Sequence, residues 1–148
     1  MLETYPDAEL YLCGDGLLRE ELETQISELG IGASTTFLGH VPYDEMPKVY
    51  RSADVLVLPS RAEGVPRTVL EALSSGVRVV STELRQVQAA VGSNVVYVST
   101  ETGRQFAAQI IETLADEQSP DTIGHDFRWE HTIHETTSAL TVLGGNGN

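Results

Sequence analysis

The stretch "VLVLPSRAEGVPRTVLEALSSGVRVVST", Val55 to Thr82, decides the fold. Val55–Leu58 is an uninterrupted apolar run, too short for a helix and rich in β-branched residues, so it reads as a buried strand. Pro59 closes it. Thr68 to Ser75 then carries apolar residues at helical spacing and stops at Gly76, and Val77–Thr82 is a second apolar run. A strand, a helix and a strand in so short a span form a parallel unit, because parallel neighbours need a crossover.

The same alternation runs outward in both directions. Ala8–Cys13 reads as a strand, with Cys13 a buried strand residue, and "GDG" (Gly14 to Gly16) punctuates it. Leu17, Leu18, Leu22, Ile26 and Leu29 recur at helical spacing as far as Gly30. Thr35–Gly39 is a short strand. A turn at Val41 and Pro42 leads into a helix from about Asp44 to Ser52, with Asp44 as N-cap, Pro47 in the first turn, and Met46, Val49 and Tyr50 facing inward. Beyond Thr82, "ELRQVQAAV" (Glu83 to Val91) reads as a loop and Asn94–Ser99 as a strand. Thr102–Glu117 reads as a helix with Phe106, Ile110 and Leu114 on one face. A tail helix is expected from Trp129 to Leu143, with Trp129 stapling it to the core and the last residues frayed. The expected class is therefore α/β: a three-layer, Rossmann-like parallel sheet flanked by helices, with residues 1–120 as the domain and 121–148 as its tail.

Composition narrows the function classes. The chain has 148 residues, 41% of them apolar, which suits one folded domain. It carries 22 acids against 9 bases, a net charge of −13, and Lys48 is its one lysine. Such a surface repels nucleic acid and anionic lipid. An acidic, lysine-poor surface is also what a high-salt cytoplasm favours, and a halophilic source is expected on that ground. No window reaches the length of a transmembrane helix. "MLETYPDAEL" is acidic and lacks a basic n-region and an apolar h-region, so it does not read as a signal peptide and a cytoplasmic location is expected. One cysteine makes no internal disulfide and no zinc framework. His131 and His134 share helical spacing but find no third ligand, and no metal site or cofactor is expected; His40 either touches a ligand or caps a turn.

The chemistry concentrates where the first quoted strand ends, because open parallel sheets bind ligands at the carboxyl ends of their strands. Gly64 lets backbone approach a ligand closely, and Pro66 sits at a helix start where its missing N–H costs nothing. The amides of Arg67, Thr68 and Val69 then face the loop with the positive end of the helix dipole, an arrangement suited to a diphosphate. Glu63 can accept hydrogen bonds from sugar hydroxyls, and Glu71 lies near enough to take a ribose diol. The bland alternative is that an acid in a first turn stabilises the helix through its dipole and needs no ligand. Arg61 and Arg67 either meet the diphosphate or are solvated.

These residues resemble a family. "ADVLVLPSRAEGVPRTVLEALSSGVRVVST" is similar to the signature of retaining glycosyltransferases of the GT-B fold, the large family-4-like group. "PDAELYLCGDG", "TTFLGHVPYDEMPKVYRSADV" and "FRWEHT" match further pieces of the pattern in the same order, so the resemblance covers Pro6 to about Leu143. It implies the C-terminal half of a GT-B fold, which binds a UDP- or GDP-sugar whose sugar is transferred with retention, without an obligatory protein-bound metal. It gives Glu63 a catalytic place against the donor sugar. Gly64, Val65, Pro66, Arg67 and Thr68 become the loop and helix start at sugar and phosphates, and Glu71 the ribose ligand. Val41 would meet the base, and Gly14 and Gly16 would line the same cleft.

Two departures qualify what the resemblance implies. The family's acceptor-binding domain precedes this region, together with a strand, a helix and an Arg–Lys pair for the donor diphosphate; none of these has a counterpart here, so the missing half would have to act in cis or in trans. The family also follows its fourth strand with T-x-x-G-G-x-x-E, a loop that closes over the sugar; here Arg85 and Gln86 replace the glycines and Ala89 the glutamate. The expected function is thus donor binding by part of a transferase that is inactive by itself. The alternatives are a non-catalytic nucleotide-binding or partner-docking module on the same fold, or a two-domain GT-B relative, such as an epimerase, acting on the nucleotide sugar itself.

Overall fold

The computed structural model describes residues 3–61, 67–99 and 102–116. The chain forms two compact units, one up to Met46 and one from Pro47 onward. The expected tail helix with Trp129, and the loop residues Glu63, Gly64, Val65 and Pro66, lie outside the described residues.

In the first unit, strand β1 (Leu10–Cys13) pairs in parallel with β2 (Thr35–Gly39), and helix α1 (Arg19–Glu28) connects them. Gly30, where the helical pattern was expected to stop, has φ +68°. Its N–H donates to the Ser27 carbonyl and that of Ile31 to the Ile26 carbonyl, so two orphan carbonyls of the last turn are satisfied. The helix begins only at Arg19, and Leu17 and Leu18 precede it, 103% and 65% exposed. Cys13 is exposed, against the expectation of burial. The physical reason is the sheet: β1 pairs only with β2 among the described residues, and an apolar run is buried on both faces only where neighbours cover it.

Helix α2 (Met46–Arg51) starts later than expected. Glu45 and Met46 both donate their N–H to the Pro42 carbonyl, so Asp44 sits within a turn and does not cap the helix. Pro47 does fall in the first turn, and Tyr50 is buried.

The second unit holds the core. Strands β3 (Val55–Leu58), β4 (Arg78–Thr82) and β5 (Val96–Val98) form a parallel sheet in the order β3-β4-β5. Val57 pairs with Val80, and Val80 with Val96. All the described strands are parallel, two in the sheet of the first unit and three in that of the second, which is the expected α/β class. Each sheet belongs to its own unit, and strand order is set by tertiary pairing that apolar runs do not encode. Helix α3 (Arg67–Ser74) links β3 to β4 and buries Val69, Ala72 and Leu73. It ends at Gly76, φ +78°, with the Gly76 and Val77 amides returned to the carbonyls of Leu73 and Ala72. Helix α5 (Gly103–Ala115) lays Phe106 and Ile110 on Val80 and Val98, with Val55, Val57, Val96 and Leu114 around them. Burying side chains such as Val80 stabilises this unit by about 1.5–3 kcal/mol each.

Residues expected as a loop after β4 form helix α4 (Arg85–Val91). Arg85 and Gln86 are good helix formers where the family pattern has glycines, which explains the helix.

Candidate functional site

The second unit's site begins at the carboxyl end of β3. Leu58 stands opposite Ser81 in register, so Pro59 and Ser60 leave the sheet beside the end of β4. Thr82, 5% exposed, ends β4, and its hydroxyl donates to the carbonyl of Ser60 and, at 3.4 Å, to that of Leu58. A buried hydroxyl on one strand thus holds the start of the loop that leaves the other. The N–H of Glu83 donates to the Val98 carbonyl at 3.1 Å, which fixes the chain on leaving β4.

Helix α3 starts at Arg67. The first amides of any α-helix have no intrahelical acceptor and carry the positive end of its dipole. Arg67 and Thr68 are exposed there, while Val69 points into the core. Arg61, before the loop, is also exposed. The Arg67 guanidinium stands 3.9 Å from Glu71 Oε1, one helical turn away, with its side chain 68% exposed. A contact so open to solvent contributes little to stability, of the order of 0–1 kcal/mol.

Glu71 is the residue that the structure describes most sharply. Its side chain is 11% exposed. Tyr50, 4% exposed and carried on α2, donates its phenol hydroxyl to Glu71 Oε2 at 2.9 Å. The carboxylate that sequence placed near a ribose is therefore mostly sequestered, and a buried phenol holds one of its oxygens. Sequence reading missed this use of Tyr50, marking it only as inward-facing, and it missed Thr82. The signal available for each was a polar group at the end of an apolar pattern.

The first unit carries the other expected positions. Gly14 has φ +115°, and its N–H donates to the Gly39 carbonyl at 2.7 Å, tying the ends of β1 and β2. The Gly16 N–H donates to the Asp15 carboxylate at 2.8 Å. Arg19 lies over the Phe37 ring, 5.0 Å from its centroid, and pairs with Glu23 at 2.9 Å, so α1 is held on β2 by its own charges. Val41 is half-buried and His40 exposed. Burial pushes the Cys13 thiol up from its ordinary pKa, although the residue keeps an exposed surface. Among the described residues no three His, Cys, Asp or Glu side chains stand together as a metal site, and no helix is long and apolar enough to cross a membrane.

Comparison with known proteins identifies a family for the chain. The model of the family described as glycosyl transferases group 1 matches residues 1–127. The chain is 33% identical to the D-inositol 3-phosphate glycosyltransferase of Corynebacterium urealyticum over 97% of its own length and 38% of that protein's. It superposes on the Anabaena protein HepE, solved in complex with UDP, with a TM-score of 0.71 and 25% identity, covering 90% of this chain and 42% of HepE. The C-terminal domain of a glycosyl transferase group 1 family protein (LpcC) from Francisella tularensis gives a TM-score of 0.70 at 22% identity, over 93% of this chain and 73% of that one. The chain thus spans about two fifths of the length of the full-length proteins it resembles.

Proposed function

The chain belongs to the glycosyl transferases group 1 family, as the C-terminal portion of a GT-B fold, and from that premise we propose that it binds the nucleotide-sugar donor of a retaining sugar transfer. The observation that carries the proposal is the Glu71 carboxylate: mostly buried, at the first turns of α3, and oriented by Tyr50. An ionised carboxylate only accepts hydrogen bonds, so its ligand must donate them. A ribose diol does so; a phosphate does not, and its charge is repelled. The diphosphate belongs one turn earlier, at the amides of Arg67 and Thr68, where the helix dipole favours an anion.

The donor sugar then falls to the loop before α3, with Glu63 as the carboxylate against it and Gly64, Val65 and Pro66 offering backbone. Val41, Gly14 and Gly16 keep the roles of base and cleft contacts on the resemblance alone. The donor is a UDP- or GDP-sugar, and no metal or other cofactor is called for. The acceptor is bound by a further domain, joined in cis or supplied in trans, so this chain alone transfers no sugar.

Calorimetric titration with UDP and GDP tests the reading. Saturable binding that weakens roughly 10- to 100-fold in Glu71→Ala, as expected for hydrogen bonds to a charged group, supports it. Binding of neither nucleotide would overturn it. One observation favours a second reading. Helix α4 begins with Arg85, where close backbone approach to a sugar would need glycine. A module that has given up the donor and docks a partner instead fits that change, and it predicts no nucleotide binding.

A further inference from the structure

We infer that Tyr50 is the positioning residue for Glu71 and that its phenol, acting through that carboxylate, sets how strongly the site prefers a ribose to a deoxyribose. This rests on the reading of Glu71 as a ribose ligand. A glutamate side chain has three rotatable bonds, and binding a diol with a free carboxylate would cost the freezing of all of them. Here that ordering is already present. The Tyr50 ring is 4% exposed, so the core fixes where its hydroxyl points, and that hydroxyl stands 2.9 Å from Glu71 Oε2. The neighbouring cation does not do the same work: Arg67 is 3.9 Å from the other oxygen, on a side chain 68% exposed.

The contact leaves room for a ligand. A carboxylate oxygen offers more than one lone pair, so Oε2 can accept from Tyr50 and still accept from a sugar hydroxyl. Oε1 faces the exposed Arg67 side and is the natural acceptor for the second hydroxyl. Tyr50 is thus built into the acceptor geometry without touching the nucleotide. It sits on α2, 21 residues before Glu71, so the two helices together make one recognition element.

The test uses the full chain and two probes, UDP and 2′,3′-dideoxy-UDP, in calorimetry. Tyr50→Phe keeps the ring and removes only the donor. It should weaken UDP roughly tenfold and the dideoxy nucleotide less than about twofold, so that the ribose preference shrinks by roughly five- to tenfold. On a Glu71→Ala background, which removes the acceptor, the Tyr50→Phe change should have little further effect. Should Tyr50→Phe fail to fold, 3-fluorotyrosine at position 50, a stronger donor of nearly the same shape, should increase the ribose preference. Equal loss for both nucleotides, or an unchanged ratio with either variant, would overturn the assignment and leave Tyr50 a packing residue. If the unaltered chain bound both probes equally, the ribose role of Glu71 would fall and this with it. If it bound neither, the nucleotide reading itself would fail.

Discussion

At the scale of single residues, the side chains that organise this chain reach across long sequence separations to backbone or carboxylate. Arg78, the first residue of β4, donates from Nη1 to the carbonyls of Thr113 and Asp116, the latter at 2.8 Å. Those carbonyls belong to the end of α5, where a helix leaves acceptors unpaired and its dipole is negative. Arg78 therefore ties α5 to the central strand and answers the dipole together. Arg78→Met should cost about 1.5–3 kcal/mol, the range for hydrogen bonds involving a charged group, read as a lower urea midpoint with an unchanged m-value. Arg78→Lys should recover only part, because an ammonium lacks the planar fork. On the proposed reading, any affinity for UDP should not move in either variant, since Arg78 lies at the amino end of β4, away from the strand ends where the proposed site lies.

At the scale of elements, the helix stops are the most exposed to test. Gly76 has φ +78°, and a Cβ there would meet nothing within 4 Å. Gly76→Ala should thus show the backbone cost without a clash, about 1–2 kcal/mol, as a lower melting temperature. If stability held, the left-handed turn would not be what ends α3. Helix α4 gives the converse case. Placing glycine at Arg85 should loosen that helix by about 1 kcal/mol, so the Gln88 amide, bonded to the Leu84 carbonyl, should exchange with solvent roughly fivefold faster. These elements also show what was legible in sequence. β2 was read at its observed bounds, Gly30 and Gly76 end their helices as expected, and Phe106 and Ile110 face the core. Each depends on local spacing or on one residue's backbone freedom. Helix α4 was missed because comparison with a glycine-bearing pattern made its residues look like an altered loop. Cys13 was misjudged because burial depends on which strands lie alongside, and the helical spacing that began at Leu17 overran the observed start of α1 at Arg19. The Tyr50–Glu71 bond was invisible because nothing local relates α2 to α3.

At the scale of the whole molecule, charge dominates. A net charge of −13 on 148 residues leaves the folded chain repelling itself, and among the described residues few cations stand against the acids. Among the described residues, the pairs of Arg19 and Arg67 are local: Arg19 lies between Asp15 at 3.7 Å and Glu23 at 2.9 Å, and Arg67 reaches Glu71 within its own helix. Exposed pairs of this kind contribute little, so they do not offset the repulsion. Ions can. The screening length falls from about 30 Å at 0.01 M salt to about 3 Å at 1 M, which confines each charge to its near neighbours. Folding brings the acids closer together than the unfolded chain does, so screening stabilises the folded state more. We therefore expect the melting temperature to rise by several degrees between those concentrations, at about 2–4 °C per kcal/mol for a chain of this size. Most of the gain should come below about 0.3 M, where screening changes fastest. Sodium and potassium chloride should act alike, since neither acts through water exclusion as sulfate does. Sucrose at equal osmolality should not reproduce the steep low-salt part. A melting temperature that is flat in both chlorides would mean that the acids are spread widely enough not to repel, and the case for adaptation to a saline interior would go with it.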